Sequence, residues 1–414
     1  MSRVLTAVAV VTLLLFNPPL ARADAVLYWN AIATSLPAPN GFEGARRLAI
    51  VQLAVFEAVN SITGEYEPYL GTVVPTAGAS PDAAAVQAAY DVLKAFYPSN
   101  TTLDALLASS LATIADGPAK QGGIATGHAA AAAVLDSRAN DGSAAIDFYF
   151  PSSANPGEYQ LTDGCTAGLF SYWSQVRPFG IPGASKFILP PPPALDSLEY
   201  ANDYLEVKTV GDVNADSTVR PQDRADVVHF YAVTGAPYVF SSAARQISVT
   251  QQRSLSHNAR TLAVMAMAIN DSYIVSFATK YTYKLWRPET AIRQGDYDGN
   301  DLTEGNPTFH TFIFTPCFPS YPANHSSGSR AGAEVLKRAY GEAKHAITIT
   351  NPLVPSISGI TLYYQTFNEI CDDVDDARVY GGIHFRFDLD GGNRLGRAVA
   401  TYIDKNLLRP MEQH

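Results

Sequence analysis

Cysteine is scarce in this 414-residue chain, where Cys165, Cys317 and Cys371 are the full set. Three thiols cannot staple a scaffold, and nothing in their spacing reads as a metal cage. In an oxidising compartment an odd set leaves room for one disulfide beside a spare thiol, with the pairing open. Basic residues are also few: 29 Lys and Arg stand against 39 Asp and Glu, for a formal net charge of -10. With no basic run, the acidic balance disfavours a nucleic-acid partner, and any anion must be held by a local cluster of cations. Long apolar stretches are missing beyond the N-terminus. The nearest candidate, 261–278, is interrupted by Asn270 and Asp271, so no membrane span is expected once a leader is removed.

Other features are plentiful. The composition is 47% hydrophobic, enough for a large core. The start places Arg3 before an apolar run from Val4 to Phe16, then Pro18, Pro19 and Ala21-Arg22-Ala23. That reads as a secretory signal peptide over 1–23, hence a secreted or periplasmic protein beginning near Asp24. Apolar residues then recur at helical spacing over 42–62, 82–96, 103–114, 122–135, 196–207, 224–231, 258–283, 325–340 and 372–408, the last with a break expected at Gly391 and Gly392. Strand signals are few, Ile347 to Ile349 being the main one, so the fold class is all-α. From 141 to 193 Gly, Pro, Ser and aromatics replace the periodicity. This long loop divides a helical region over 24–195 from a second over 196–414.

Three stretches carry chemistry. TKYTYKLWRPETAIR, from Thr279 to Arg293, places Lys280 and Arg287 seven apart, on one face two turns along a helix. Alone, such cations snorkel or pair with carboxylates. In CFPSYPANHSSGS a proline-rich turn runs into a helix start at Asn324 and His325, where free backbone N–H groups make an anion site. In DDARVYGGIHFRFDLDGG, Asp388 stands four beyond His384, one helical turn on. A carboxylate there can hold the imidazole Nδ1 proton and leave Nε2 as a nucleophile or ligand. Lys280, Arg287 and Arg378 repel one another unless an oxyanion or carboxylates fill the space between them, which points to phosphate or a phosphate mimic.

The order Lys-x6-Arg-Pro, then Pro-Ala-Asn-His, then Ala-Arg-x5-His-x3-Asp resembles the signature of the vanadium-dependent haloperoxidase and type 2 phosphatidic acid phosphatase superfamily. The N-terminal DAVLYWNAIA and RRLAIVQLAVFEAVNSI look like its soluble haloperoxidase-like branch. The resemblance implies two four-helix bundles with the site at the end of the second, so that 196–414 is the catalytic region. It implies that His384 bonds vanadate, that Lys280, Arg287, Arg378 and the Asn324 N–H hold its oxygens, and that His325 acts as acid or base on bound peroxide. Phosphate fits the same place.

In the phosphatases the residue matching His384 attacks phosphorus and the one matching His325 protonates the leaving alcohol. The expected function is therefore an exported vanadate-dependent haloperoxidase using hydrogen peroxide and halide. The alternatives are an acid phosphatase acting on a phosphate ester through phosphohistidine, and a catalytically silent oxyanion-binding protein. Phe318, seven before His325, stands where the chloroperoxidase-like branch has an aromatic, and favours the first. Three positions depart from the family pattern. Ala323 replaces a Ser, losing a hydroxyl donor worth about 1 to 3 kcal/mol; Asn324 replaces Gly; Ala377 replaces the Ser before Arg378. Oligomeric state is not legible.

Other candidates read as bland. Asp296, Asp298, Asn300, Asp301 and Glu304 lack the glycine and final acid of a calcium loop and read as a solvated turn. Asp372, Asp373, Asp375 and Asp376 suit a helix start. His128, His229, His257, His310 and His345 read as structural or surface histidines.

Overall fold

In the computed structural model, residues 24–411 are described; the leader expected over 1–23 lies outside them. Helices dominate, and most carry the caps their sequences advertise. α1 (Ala25–Ser35) is capped by Asp24, α2 (Gly41–Thr63) by Asn40, α3 (Pro81–Phe96) by Ser80 and α4 (Thr101–Ala112) by Asn100, each through a side-chain oxygen that accepts first-turn N–H groups. With α5 (Pro118–Arg138) they form a first group, in which the Ala-rich faces of α3 and α5 pack on each other and on α2.

The second group holds α6 (Leu198–Val210), α7 (Gln222–Val233), α8 (Ala236–Thr250), α9 (Leu255–Tyr283), α10 (Pro288–Arg293), α11 (Asn324–Tyr340), α12 (Phe367–Tyr380) and α13 (Arg386–Asn406). α9 packs on α2, α11 and α13, joining the groups through one core. A two-stranded antiparallel ribbon, β1 (Ile347–Ile349) with β2 (Leu362–Tyr364), pairs Ile347 with Tyr364.

α1, α8 and α10 go beyond the periodicity reading. The expected break at Gly391 and Gly392 is corrected: the chain turns at 381–385, and α13 runs unbroken through both glycines. Their role is close approach. A Cβ on Gly392 would stand 2.6 Å from the Ala323 carbonyl oxygen, and one on Gly391 would stand 2.7 Å from the Tyr321 ring. The four aspartates of 372–376 lie within α12, whose start is a capping box of Thr366 and Glu369. In the acidic turn, Asp298 accepts from Thr303 and the Asn300 N–H, and Asp296 accepts from the Gly305 N–H. Among the described residues no group of three acidic, His or Cys side chains suits a metal ion.

α9 is long and apolar enough to cross a membrane, yet almost all of it is buried inside the protein. The Asn270-Asp271 interruption has a use here. Buried Asp271 accepts from the N–H groups of Phe179, Gly180 and Ile181 at 2.8, 2.7 and 3.0 Å, pinning the irregular segment 139–197 to α9. The same segment meets the chain beyond α9 through Tyr159 N–H to Lys284 carbonyl (2.7 Å) and Leu169 N–H to Cys317 carbonyl (2.7 Å). Cys165 and Cys317 form the disulfide, which leaves Cys371 buried and free in α12.

Candidate functional site

Lys280 and Arg287 do come together, but not on one helix face. α9 ends at Tyr283, Lys284 closes it in a left-handed conformation (φ 51°), and Arg287 becomes the N-cap residue of α10, ahead of Pro288. The turn folds Arg287 back over the helix end. Lys280 Nζ donates to the carbonyls of Pro319 (2.8 Å) and Ser320 (2.6 Å). Arg287 Nε donates to the Phe318 carbonyl (2.7 Å) and Nη1 to that of Ile383 (2.9 Å). The Phe318 ring backs both cations, 5.2 Å from Lys280 Nζ and 5.0 Å from Arg287 Cζ. Lys284 lies instead over Tyr149, and Arg293 pairs with Asp163 and Glu289, so both fall outside the clamp.

His384 sits in the turn between α12 and α13, and Asp388 in the first turn of α13. Their pairing is thus a helix-start contact, where four positions along one helical face were expected. His384 Nδ1 is 2.9 Å from Asp388 Oδ2, which also accepts from the Phe385 N–H (3.0 Å) and Ser320 Oγ (2.6 Å). An Nδ1 proton given to this carboxylate leaves a lone pair at Nε2, where Arg287 Nη1 stands at 3.0 Å.

α11 begins at Asn324 without a side-chain cap among the described residues, its N-cap Ala323 held by its N–H to the Asp388 carbonyl (2.9 Å). Several buried polar atoms here find no partner among the described residues: Arg287 Nη2, Arg378 Nε and Nη2, both ends of the Asn324 carboxamide, and Asp388 Oδ1. Unused guanidinium N–H groups beside an uncapped helix start form a donor set shaped for a multiply charged oxyanion. Residues 260–413, which contain all of these groups, match the VCPO second helical-bundle domain.

Over these residues the chain is similar to the vanadium haloperoxidases.

Over 119 residues it is 30% identical to a vanadium chloroperoxidase of Curvularia inaequalis, a match spanning 25% of this chain and 20% of that protein. Its fold is that of a bacterial vanadium-dependent iodoperoxidase (TM-score 0.75, 20% identity, 94% of this chain and 97% of that one). It is also that of an apo-type bacterial vanadium-dependent chloroperoxidase (TM-score 0.69, 14% identity, 87% and 92%).

The electrostatics of this site follow from burial. Desolvation, then the charges of Arg287, Lys280 and Arg378, push His384 well below its usual range, and it is neutral. His325, the more accessible imidazole, is pushed well down by burial and by Arg378, Lys280 and Arg287. Burial lowers Lys280 strongly, and brings Arg287 and Arg378 down to about 10, so both guanidiniums stay charged at neutral pH. Burial raises Asp388 to about 6 against the opposing pull of Ser320, Lys280 and Arg287.

All eight sequence candidates therefore lie at or beside one locus. Two further residues were not anticipated. Ser320 gave no periodic signal, yet its hydroxyl holds Asp388. Asp375, three before Arg378 on α12, accepts from Ser326 Oγ (2.5 Å) and Asn393 Nδ2 (2.6 Å) and is the main charge supporting Arg378. The i,i+3 spacing was visible, hidden in an acidic run read as a helix start.

Proposed function

We propose that the protein is an exported vanadate-dependent haloperoxidase oxidising halide with hydrogen peroxide. The observation that carries this reading is the buried His384 Nε2, set by Asp388 at Nδ1 and met by Arg287 Nη1 at 3.0 Å, while Arg287 Nη2 and Arg378 Nε and Nη2 find no partner among the described residues. Vanadate bound there would supply Lewis-acid activation of peroxide towards halide. His384 would hold it through Nε2, while Arg287, Arg378, Lys280 and the first N–H groups of α11 neutralise its oxygens. Asp388 keeps the proton at Nδ1. His325 gives or takes a proton at the accessible side of the site. Phe318 and the aromatics behind it, Phe42, Phe170 and Phe277, keep water from the cations. The Cys165–Cys317 disulfide supports export to an oxidising compartment.

The oriented Nε2 also favours a second reading, phosphate-ester hydrolysis. Nε2 forms a bond to phosphorus, the P–O bond to the leaving alcohol breaks and His325 supplies that oxygen with a proton; water then attacks phosphorus, the P–N bond breaks and phosphate leaves. Incubating the protein with orthovanadate, then assaying peroxide-dependent bromination of a dye beside hydrolysis of a chromogenic phosphate ester, separates the readings. Halogenation that requires vanadate supports the first; ester hydrolysis inhibited by vanadate replaces it with the second; neither activity sinks both.

A further inference from the structure

The neutral polar side chains around the start of α11 are nearly all committed. Ser320 Oγ donates to Asp388, Ser326 Oγ to Asp375, and Ser327 Oγ to the Asn324 carbonyl at 3.0 Å. Asn324 differs. The residue is 4% exposed, and neither its amide nitrogen nor its oxygen meets a partner among the described residues. Burying a whole carboxamide unpaired is costly, and native folds seldom do it without a ligand to complete the pairing. Its place in the chain indicates which ligand. Ala323 on one side is tied by its N–H to the Asp388 carbonyl, and the His325 ring on the other feels the charges of Arg378, Lys280 and Arg287. Asn324 thus occupies the first helical position of an N-terminus without a side-chain cap, next in the chain to the imidazole that the Arg287 and Arg378 charges reach, and both guanidiniums carry atoms that are likewise unpaired among the described residues.

We propose that the Asn324 carboxamide is itself a ligand of the bound oxyanion, donating from Nδ2 and supplying the side-chain donor that alanine at 323 does not. The inference rests on the oxyanion reading of the site. In this chain the donor has moved one residue along. A carboxamide also brings an acceptor, so Oδ1 can accept a hydrogen bond from the hydroxyl of a singly protonated anion such as hydrogen phosphate, which a backbone N–H cannot do.

The test is calorimetric titration of the full mature chain with inorganic phosphate and, separately, orthovanadate, with a thermal melt of every variant. Asn324→Ala is expected to weaken binding of both anions about tenfold or more, the usual worth of a hydrogen bond to a charged group. Asn324→Asp keeps the shape and suits a helix start, so it should melt no lower than the parent yet bind about a hundredfold more weakly. A merely structural asparagine would not separate melting from binding in that way. If the alanine variant fails to fold, the aspartate variant decides alone. Parent-like affinity, within about twofold, in the folded variants overturns the proposal and leaves the oxyanion site standing. A parent that binds neither anion overturns both.

Discussion

Asp388 reaches His384 by capping the helix that follows it: the carboxylate oxygen that takes the Phe385 N–H is the one that holds Nδ1, 2.9 Å away. Orientation of the imidazole and the start of α13 are therefore one event. This makes Asp388 a sensitive point, because one oxygen sets both the ring tautomer and the counter-charge to Lys280 and Arg287.

Asp388→Asn is expected to lower anion affinity and any turnover by about 10- to 100-fold, since an amide facing Nδ1 favours the tautomer whose Nε2 carries the proton. His384→Ala should abolish activity altogether. Calorimetry with orthovanadate and either assay check this; unchanged turnover in His384→Ala would remove the histidine from the mechanism.

Stability should fall as pH drops below neutrality. His384 and His325 are held below their ordinary value of 6.5, so near and below that value the unfolded chain takes up protons that the folded one refuses. The stabilisation is full well above 6.5 and is lost as pH falls through it. The two histidines together should give up roughly 1 kcal/mol between about pH 7.5 and about pH 6, and Asp388, Asp375 and Asp203, each raised to about 6 by burial, offset part of it. Urea melts in buffers free of phosphate measure it, and His384→Gln should flatten the profile; a coincident profile would contradict a neutral buried His384.

Removing the disulfide with Cys165→Ser and Cys317→Ser should destabilise the fold by about 5 kcal/mol in the chain-entropy limit for a separation of 152 residues. Cys317 precedes Phe318, whose carbonyl receives Arg287, so anion affinity should weaken too. Chemical denaturation and calorimetry of the double variant report the two effects separately.

Asp271→Ala strips three N–H groups, two of them in buried hydrogen bonds, of their acceptor and should cost about 3 kcal/mol or more. Limited proteolysis should then cut within 139–197 while α9 and α11 survive. Cleavage spread evenly along the chain would show that the carboxylate does not anchor that segment in particular.

Much of this was legible from residues. The 3.6-residue periodicity located the long helices, and the motif order assembled the clamp. What escaped was set by three dimensions. Gly391-Gly392 looks like a break in one dimension and is a packing seam in three. Lys280 and Arg287 converge through a left-handed Lys284 that no residue preference announces. Ser320 was invisible because a hydroxyl in a turn declares no partner, and Asp375 because burial, which makes it matter, is not written in a run of aspartates.

The glycine seam bears on how such a site can change. Asp388 rides on the first turn of α13 and Asn324 on the first turn of α11, and the bare backbone of Gly392 sets how near those turns lie. A methyl group added there would move the carboxylate and the anion donors apart together, altering ligand fit without touching a ligand. Routes by which descendants of this sequence shift from one oxyanion chemistry to another therefore include the back of the helix pair as well as the wall that meets the substrate.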